Sequence, residues 1–172
     1  MSVDTSRRII VLRHAKADWP NVPDHERPLA DRGRKDAPAV GQWLAGSGLQ
    51  PELVLCSSAQ RTRETWKLAA HELPHRPRTV YEDRLYEAAP GQIIEVLQEV
   101  PEEVATVLVV GHNPGVQGLT EVLAGEFEGD ALARLRGTGF PTAAVAVLEF
   151  PGPWKALEPG VARLSTFRTP KD

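Results

Sequence analysis

The stretch RIIVLRHA, residues 8–15, places an arginine and a histidine directly after four apolar residues. A short run of β-branched and apolar side chains predicts a strand that is buried on both faces, as in a parallel sheet. Arginine and histidine cost free energy when they leave water without a partner. Their position at the end of a buried strand therefore indicates a site for an anionic ligand.

Similar apolar runs recur along the chain, and the sequence predicts strands at residues 8–13, 52–57, 78–83, 106–112, 143–150 and 161–167. Helical periodicity lies between them and predicts helices at residues 31–46, 58–71, 91–99 and 114–124. Pro38 is expected to kink or delay the first helix, and Gly125 is expected to end the last. This alternation predicts a three-layer α/β fold, with a largely parallel sheet of about six strands and helices on both faces.

The bulk properties describe an ordinary folded chain. Its 172 residues fit one domain, residues 1–172 with a core of about 8–168, and 41% of them are hydrophobic and 25% charged. The net charge of -3 argues against a protein that coats nucleic acid. The single cysteine, Cys56, excludes an internal disulfide and a multi-cysteine zinc site, and it fits a packing role in a reducing compartment.

Neither a membrane nor an export route is indicated by the apolar segments. The pair Arg7-Arg8 precedes an apolar run that stops at Leu12, which is shorter than the roughly 7–15 residues of the apolar h-region in a signal peptide. No run approaches the roughly 20 apolar residues of a membrane span. The sequence therefore predicts a cytoplasmic protein.

The carboxyl ends of parallel strands meet at one edge of a sheet, where ligands of such folds bind. Arg13 and His14 are expected there, together with the segment CSSAQRTRET that follows the second strand. Ser57 and Gln60 have the spacing of a capping box, which predicts a helix beginning near residue 58. The N-terminus of that helix would suit a phosphate, and Arg61 in its first turn could grip the same anion. A plainer interpretation pairs Arg61 with Glu64 or with solvent.

A third set of polar residues follows the strand at 106–112, in the segment VLVVGHNPG, residues 107–115. Gly111 permits a close backbone approach, Asn113 suits a helix N-cap, and Pro114 suits the first helical position. His112 would then stand at the same sheet edge. Two histidines and two arginines at three strand ends indicate a common site more than a coincidence.

The segments RHA at 13–15, SSAQRTRET at 57–65 and GHNPG at 111–115 resemble the signature blocks of the histidine phosphatase superfamily, which has the phosphoglycerate-mutase-like fold. The small size and the segments RHAKADW and RPLADRG make the chain most similar to the SixA-type phosphohistidine phosphatase branch, without a large cap domain. Two positions depart from the family pattern. Ala15 stands where the family commonly has glycine, and Ser58 where it often has proline.

The resemblance implies that His14 is the nucleophile and is transiently phosphorylated. Arg13, Arg61 and His112 would surround the phosphoryl oxygens, and Asn113, Ser57 and Asp18 would also bind the substrate. Attack needs a neutral imidazole, so one ring nitrogen of His14 should donate to a backbone carbonyl or a carboxylate. His112 is expected to be more useful when protonated.

The proton donor is less narrowly defined. Glu87 in the segment YEDRLYEAAPG is the preferred general acid, while Glu82, Asp83 and Asp18 are alternatives. A phosphoimidazole substrate would need no strong acid. His25, His71 and His75 are interpreted as surface or packing residues, and neither a metal nor another cofactor is expected.

The leading hypothesis is a metal-independent phosphatase with a phosphohistidine enzyme intermediate. The short segments between the second strand and residue 106 predict an open site, which favours phosphohistidine carried by a protein. One alternative is a phosphatase or mutase that acts on a small phosphorylated metabolite. Another is a noncatalytic domain that binds a phosphorylated ligand. Neither nucleic acid nor a membrane is an expected partner, and the sequence leaves the oligomeric state open.

Overall fold

The computed structural model describes residues 6–172, and within them a seven-stranded sheet forms the centre of the molecule. The strands are β1 (Arg7–Arg13), β2 (Leu53–Ser57), β3 (Arg78–Glu82), β4 (Thr106–Gly111), β5 (Ala124–Phe127), β6 (Val145–Phe150) and β7 (Ala162–Arg168). Their order is β3-β2-β4-β1-β6-β7-β5. All pairings are parallel except those of β6, which is antiparallel to both of its neighbours. The predicted largely parallel sheet is confirmed.

Helices cover the sheet between the strands. They are α1 (Asp31–Gly46), α2 (Gln60–Ala70), α3 (Pro90–Gln98), α4 (Gly115–Leu123) and α5 (Ala131–Thr138), and one-turn 3-10 helices lie at Asp24–Glu26, Asp83–Leu85 and Trp154–Ala156. The four predicted helices and six predicted strands all occur within two residues of their predicted bounds. In residues 6–172, no helix has both the length and the apolar character needed to cross a membrane.

Alternate residues of β1 build the two halves of the core. Ile9 and Val11 pack in one cluster with residues of α3, α4 and α5, while Ile10 and Leu12 pack in the other with residues of α1 and α2. This period of two is what a strand buried on both faces requires. The predicted three-layer arrangement is therefore confirmed. Cys56 lies buried in the second cluster, and burial raises the pKa of its thiol to about 12.

The segment between α4 and β6 contains the two elements that the sequence did not predict, β5 and α5. Only Ala124 of β5 is buried, and α5 buries only Ala131 and Leu135, so neither gives a clear periodic pattern. The expectation that Gly125 ends α4 is wrong, since α4 ends at Leu123 and Gly125 lies in β5. A Cβ at Gly125 would lie 2.1 Å from the carbonyl oxygen of Gly160, so close backbone packing requires glycine there.

Helix α1 begins at Asp31 and runs through Pro38 without the predicted delay. Proline removes one backbone N–H from the helix. The buried residues that follow it, among them Val40 and Leu44, fasten the second half of α1 to the core. Tertiary packing therefore outweighs the local cost of the proline.

The contact between α1 and α2 generates a stability prediction. A Cβ at Gly41 would lie 2.1 Å from the carbonyl oxygen of Ala69, whereas one at Gly46 would meet nothing within 4 Å. Gly41→Ala should lower the free energy of unfolding by about 1–3 kcal/mol because the helices must move apart. The matched variant Gly46→Ala should leave it unchanged or raise it by up to about 1 kcal/mol. Urea unfolding of both variants checks this, and equal stabilities would contradict the close helix contact.

Candidate active site

Three neighbouring strands bring the predicted residues together at one edge of the sheet. Arg13 ends β1 and is followed by His14, Arg61 lies in the first turn of α2 after β2, and His112 follows β4. Since β4 lies between β2 and β1, their carboxyl ends are adjacent. The ring centroids of His14 and His112 are 5.3 Å apart. The edge predicted from the sequence therefore carries a cluster of two imidazoles and two guanidinium groups.

The backbone and the ring of His14 are both fixed. Its N–H donates to the carbonyl oxygen of Gly111 at 3.1 Å, and its own carbonyl accepts from the N–H of Ala143 at 3.1 Å. Nδ1 lies 2.7 Å from the carbonyl oxygen of Ala15. Because a carbonyl can only accept, Nδ1 carries the proton and Nε2 keeps its lone pair. The carbonyl partner is of the kind that the sequence analysis required.

Burial keeps the imidazole of His14 neutral. The residue is only 8% exposed. Burial lowers its pKa to about 3, and the nearby His112, Arg13 and Arg61 act in the same direction. At pH 7 the ring therefore carries no proton on Nε2.

A chain of hydrogen bonds ties the loop of His14 to the helix of Arg61. The N–H of Ala15 donates to Thr65 Oγ1 at 2.9 Å, and this hydroxyl donates to the carbonyl oxygen of Arg61 at 2.7 Å. Ala15 and Thr65 are both fully buried. The two loops are thus held in a fixed relative position, and the methyl group of Ala15 fits without displacing either.

Arg13 contributes a guanidinium group that is only partly satisfied by the protein. Its Nη1 donates to the carbonyl oxygen of Phe140 at 2.9 Å. Its Nε is buried, and nothing within residues 6–172 accepts a hydrogen bond from it. Burial and the charge of Arg61 lower the pKa of Arg13. Two nearby cations and an unpaired buried donor cost free energy that an anion between them would offset.

His112 lies against the end of β2. Its Nε2 is 2.7 Å from Ser57 Oγ, and its Nδ1 is buried with no hydrogen-bond partner in the described part of the chain. Burial, followed by the charge of Arg61, lowers its pKa to about 4. His112 is therefore neutral at pH 7. A phosphate dianion beside it would raise this pKa again.

The predicted capping box of Ser57 and Gln60 is wrong. Helix α2 begins at Gln60 with Ala59 at the N-cap, and the Gln60 amide donates to Glu64 instead. The hydroxyl of Ser57 is directed to His112, with only a 3.4 Å contact from the N–H of Ala59. Ser57 therefore orients a histidine of the site rather than capping the helix.

Asn113 has partners within the protein. Its Oδ1 accepts from the N–H of Gln117 at 3.2 Å, and its Nδ2 donates to the carbonyl oxygen of Phe140 at 3.3 Å. Helix α4 begins at Gly115, and Pro114 rather than Asn113 holds the N-cap position. Asn113 nevertheless satisfies a free N–H of the first turn, and it shares the Phe140 carbonyl with Arg13.

Arg61 has a partner that the sequence analysis missed. Its Nη1 donates to the carbonyl oxygen of Asp24 at 2.8 Å, and its Nη2 donates to Asp24 Oδ2 at 3.1 Å. Glu64, the expected alternative partner, instead accepts from the N–H of Leu29 and from the amide of Gln60. The side chain of Arg61 is only 8% exposed. Asp24, the first residue of the 3-10 turn Asp24–Glu26, therefore belongs to the site.

Tyr86 and His25 complete the rim of the site, and sequence reasoning missed both. The hydroxyl of Tyr86 donates to Asp24 Oδ2, and its ring lies 4.8 Å from that of His25 and 5.6 Å from that of His112. His25 is exposed, but its Nε2 lies 2.9 Å from Ser58 Oγ. The loop 21–31 had the composition of an ordinary surface connection. Only the tertiary fold brings it against α2.

The hydrogen bond between Asp24 and Tyr86 shifts the pKa values of both side chains. The bond from the Tyr86 hydroxyl, assisted by Arg27 and Arg61, lowers the pKa of Asp24 to about 2. The same bond raises the pKa of Tyr86 to about 12. Asp24 is thus a carboxylate at pH 7, and Tyr86 is a neutral donor.

Glu87 is the predicted acid that the structure brings to the site. It is exposed and lines a pocket of about 390 Å³ together with Arg61, Tyr86 and His112. Its φ of 57° lies in the left-handed region, which costs a non-glycine residue free energy and fixes its direction.

The other predicted acids make contacts of their own. Asp18 is exposed, and its Oδ1 accepts from the N–H of Trp19 at 3.0 Å. Glu82 accepts hydrogen bonds from Arg84, and Asp83 is exposed.

The remaining histidines do not form a metal site. His71 and His75 are exposed. Over residues 6–172, no group of three or more histidine, cysteine, aspartate or glutamate side chains is arranged to hold a metal ion.

Comparisons with known proteins find relatives that share the sequence and the fold of this chain. The family model described as histidine phosphatase superfamily (branch 1) matches residues 9–106. An uncharacterized protein of Mycobacterium tuberculosis is 42% identical over 162 residues, which cover 93% of this chain and 100% of that protein. A solved structure from Nakamurella multipartitia, assigned as a phosphohistidine phosphatase SixA, has a TM-score of 0.82 and 31% identity, covering 96% of each chain. A second, from Agrobacterium tumefaciens and with the same assignment, has a TM-score of 0.80 and 31% identity, covering 95% of this chain and 97% of that one.

The matching family model and the two solved structures identify the chain as a phosphatase of the phosphoglycerate-mutase-like fold. The chain belongs to the histidine phosphatase superfamily, branch 1, and within it to the SixA-like proteins.

The buried neutral state of His14 predicts a pH-dependent stability. Its pKa falls from 6.5 to about 3 on folding, so the unfolded chain binds more protons between these values and stability is lost as the pH falls through this window. From pH 6.5 to 4, the free energy of unfolding of the wild type should fall by about 2–3 kcal/mol more than that of His14→Asn. Urea unfolding in phosphate-free buffer measures this difference. The exposed-site control His71→Asn should follow the wild type, and equal losses in His14→Asn would contradict the burial effect.

Proposed function

We propose that the protein is a metal-independent phosphatase in which His14 Nε2 attacks the phosphorus atom of a phosphorylated substrate. The observation that carries this proposal is the hydrogen bond from His14 Nδ1 to the carbonyl oxygen of Ala15, at 2.7 Å. It fixes the tautomer in which Nε2 has a free lone pair, on a ring held neutral by burial. Few other roles require a histidine to be buried, neutral and oriented beside two arginines.

The proposed reaction has two steps. In the first, a bond forms between Nε2 and phosphorus while the bond to the leaving group breaks, and the leaving group takes the electron pair. In the second, a water oxygen bonds to the phosphorus atom on His14, the bond from phosphorus to Nε2 breaks, and Nε2 recovers its electron pair. The phosphate leaves with the protons of that water molecule. Arg13 and Arg61 stabilise the charge on the phosphoryl oxygens, with His112 as a further donor. The two guanidinium groups supply the positive charge that a metal ion provides in other phosphatases.

Glu87 is the proposed proton donor for leaving groups that depart as strong bases. It lines the same pocket as Arg61 and His112, and its exposure lets it exchange a proton with water. Asp24 cannot take this role, since its low pKa leaves it without a proton at pH 7.

Phosphohistidine on a protein is the proposed substrate class. The chain from α2 to β4 contains only α2, β3, a 3-10 turn and α3, so no inserted cap covers the site. An open edge admits a side chain that is carried by a folded partner. The two solved structures at 31% identity, each assigned as a phosphohistidine phosphatase, support the same substrate class.

The first test measures phosphate release from a phosphohistidine-bearing protein domain in the presence of EDTA. The wild type should release phosphate. The rate of release by His14→Ala should be at least about 10³-fold lower, because no other group can form the phosphoryl intermediate. Hydrolysis of a small phosphate ester is measured in parallel. Turnover of the ester alone would favour a phosphorylated metabolite, turnover of neither would favour a noncatalytic binding domain, and loss in EDTA would contradict metal independence.

A second test concerns the proton donor. Glu87→Gln should lower kcat/KM for an alkyl phosphate by about 10²-fold or more, because an alkoxide needs a proton to leave. Turnover of phosphohistidine should change much less. Steady-state kinetics on both substrates check this. An equal loss on the two substrates would show that Glu87 supports binding rather than proton transfer.

A further inference from the structure

Asp24 brings an ionised carboxylate to the rim of a site that is built to bind an anion. Its Oδ1 accepts from Arg27 Nη1 at 3.2 Å, and its Oδ2 accepts from Arg61 Nη2 at 3.1 Å and from the Tyr86 hydroxyl. Despite these three donors the side chain is 47% exposed. A carboxylate has about four acceptor positions, so one remains for a donor from solvent or substrate.

This carboxylate lies on the open side of the site. Its hydrogen-bond partner Tyr86 packs 5.6 Å from His112, which in turn packs 5.3 Å from His14. His14 is buried, whereas Asp24 and Tyr86 are at the rim. In phosphoryl transfer the nucleophile and the leaving group are roughly in line on opposite sides of phosphorus. With the nucleophile at the floor, the leaving group must point toward this rim.

A negative charge at that position distinguishes two kinds of leaving group. The oxygen of a phosphate ester gains negative charge as it departs, which a neighbouring carboxylate disfavours. A phosphoimidazole instead departs readily once its distal ring nitrogen is protonated, because the cationic ring then leaves as neutral imidazole. A carboxylate beside that N–H stabilises the cationic form through a charge-assisted hydrogen bond.

We propose that Asp24 is a specificity-determining residue that favours phosphohistidine over phosphate esters, by accepting a hydrogen bond from the distal ring N–H of the substrate's imidazole. The inference rests on the proposed function, since it assumes that His14 is the nucleophile. Tyr86 and Arg27 orient the carboxylate, and Arg61 is shared between the carboxylate and the phosphoryl group.

The proposed step conserves atoms and charge. A hydronium ion from the solvent supplies the proton that binds the distal nitrogen of the phosphohistidine ring, and the water molecule returns to the solvent. The bond from phosphorus to the proximal nitrogen then breaks, its electron pair returns to that nitrogen, and phosphorus bonds to His14 Nε2. The ring leaves as neutral imidazole with its distal N–H still donating to Asp24, and the carboxylate itself neither gains nor loses a proton.

The test compares Asp24→Asn with the wild type on a phosphohistidine-containing peptide and on p-nitrophenyl phosphate, whose leaving group needs no proton. Asparagine keeps the shape and an acceptor for Arg61 but removes the charge. The ratio of kcat/KM for the peptide to kcat/KM for the ester should fall by about 10- to 100-fold. The fall should lie in the peptide reaction, with the ester unchanged or faster.

Glu26→Gln is the matched control, because Glu26 is exposed in the same 3-10 turn and the substitution removes the same charge. The ratio of kcat/KM for the peptide to kcat/KM for the ester should be the same for Glu26→Gln as for the wild type. Tyr86→Phe removes the hydroxyl that holds Asp24 and should lower the ratio in the same direction by a smaller factor. Circular dichroism and thermal unfolding confirm that each variant is folded.

Three outcomes would overturn the proposal. A parallel loss on both substrates would mean that Asp24 only positions Arg61, and a parallel gain would mean that it competes with phosphate for Arg61. An equal fall in Glu26→Gln would mean that the effect is one of net charge alone. Failure of the wild type to hydrolyse the peptide, while it hydrolyses the ester, would instead refute the proposed substrate class, so the two failures are distinguishable.

Discussion

The parallel pairing of β1 with β4 is the constraint on which the rest of the site depends. Its register sets Arg13 opposite Gly111, so that the two strands end together and their next residues, His14 and His112, become neighbours. The N–H of His14 continues the ladder by donating to the carbonyl oxygen of Gly111. A shift of one residue would turn the buried side chains of β1 to the wrong faces of the sheet. The packing of the hydrophobic core thus determines where His14 and His112 lie.

Charge is distributed unevenly around this edge. At the floor, His14 and His112 lie near the guanidinium groups of Arg13 and Arg61. Burial lowers the pKa values of both histidines. At the rim, Asp24 supplies the opposite charge. The floor of the site therefore suits an anionic group, and its rim suits a cationic one. The proposed substrate, a phosphoimidazole protonated on its distal nitrogen, would fit both, because its phosphoryl group is anionic and its ring is cationic.

Much of this arrangement could be predicted from the sequence, for a physical reason. The alternation of buried strands and amphipathic helices is local. Arg13 and His112 stand at strand ends, and Arg61 lies in the first turn of the helix that follows β2. The elements that escaped prediction have weak local signals, as in β5 and α5, which bury few residues. The capping box at Ser57 failed because a tertiary partner, His112, competes for the same hydroxyl. Local patterns cannot anticipate such competition.

The sequence by itself determined the fold class, the family and the edge of the sheet at which the imidazoles and guanidinium groups meet, because periodicity and strand-end position are properties of short segments. Only the tertiary structure decided that Asp24, Tyr86 and His25 join them. These residues lie in connecting segments that are distant in the chain. Their approach depends on the packing of the Asp24–Glu26 turn against α2 and on the contacts of Tyr86 with Asp24 and His25. Tertiary packing, rather than any local motif, makes Asp24 the partner of Arg61.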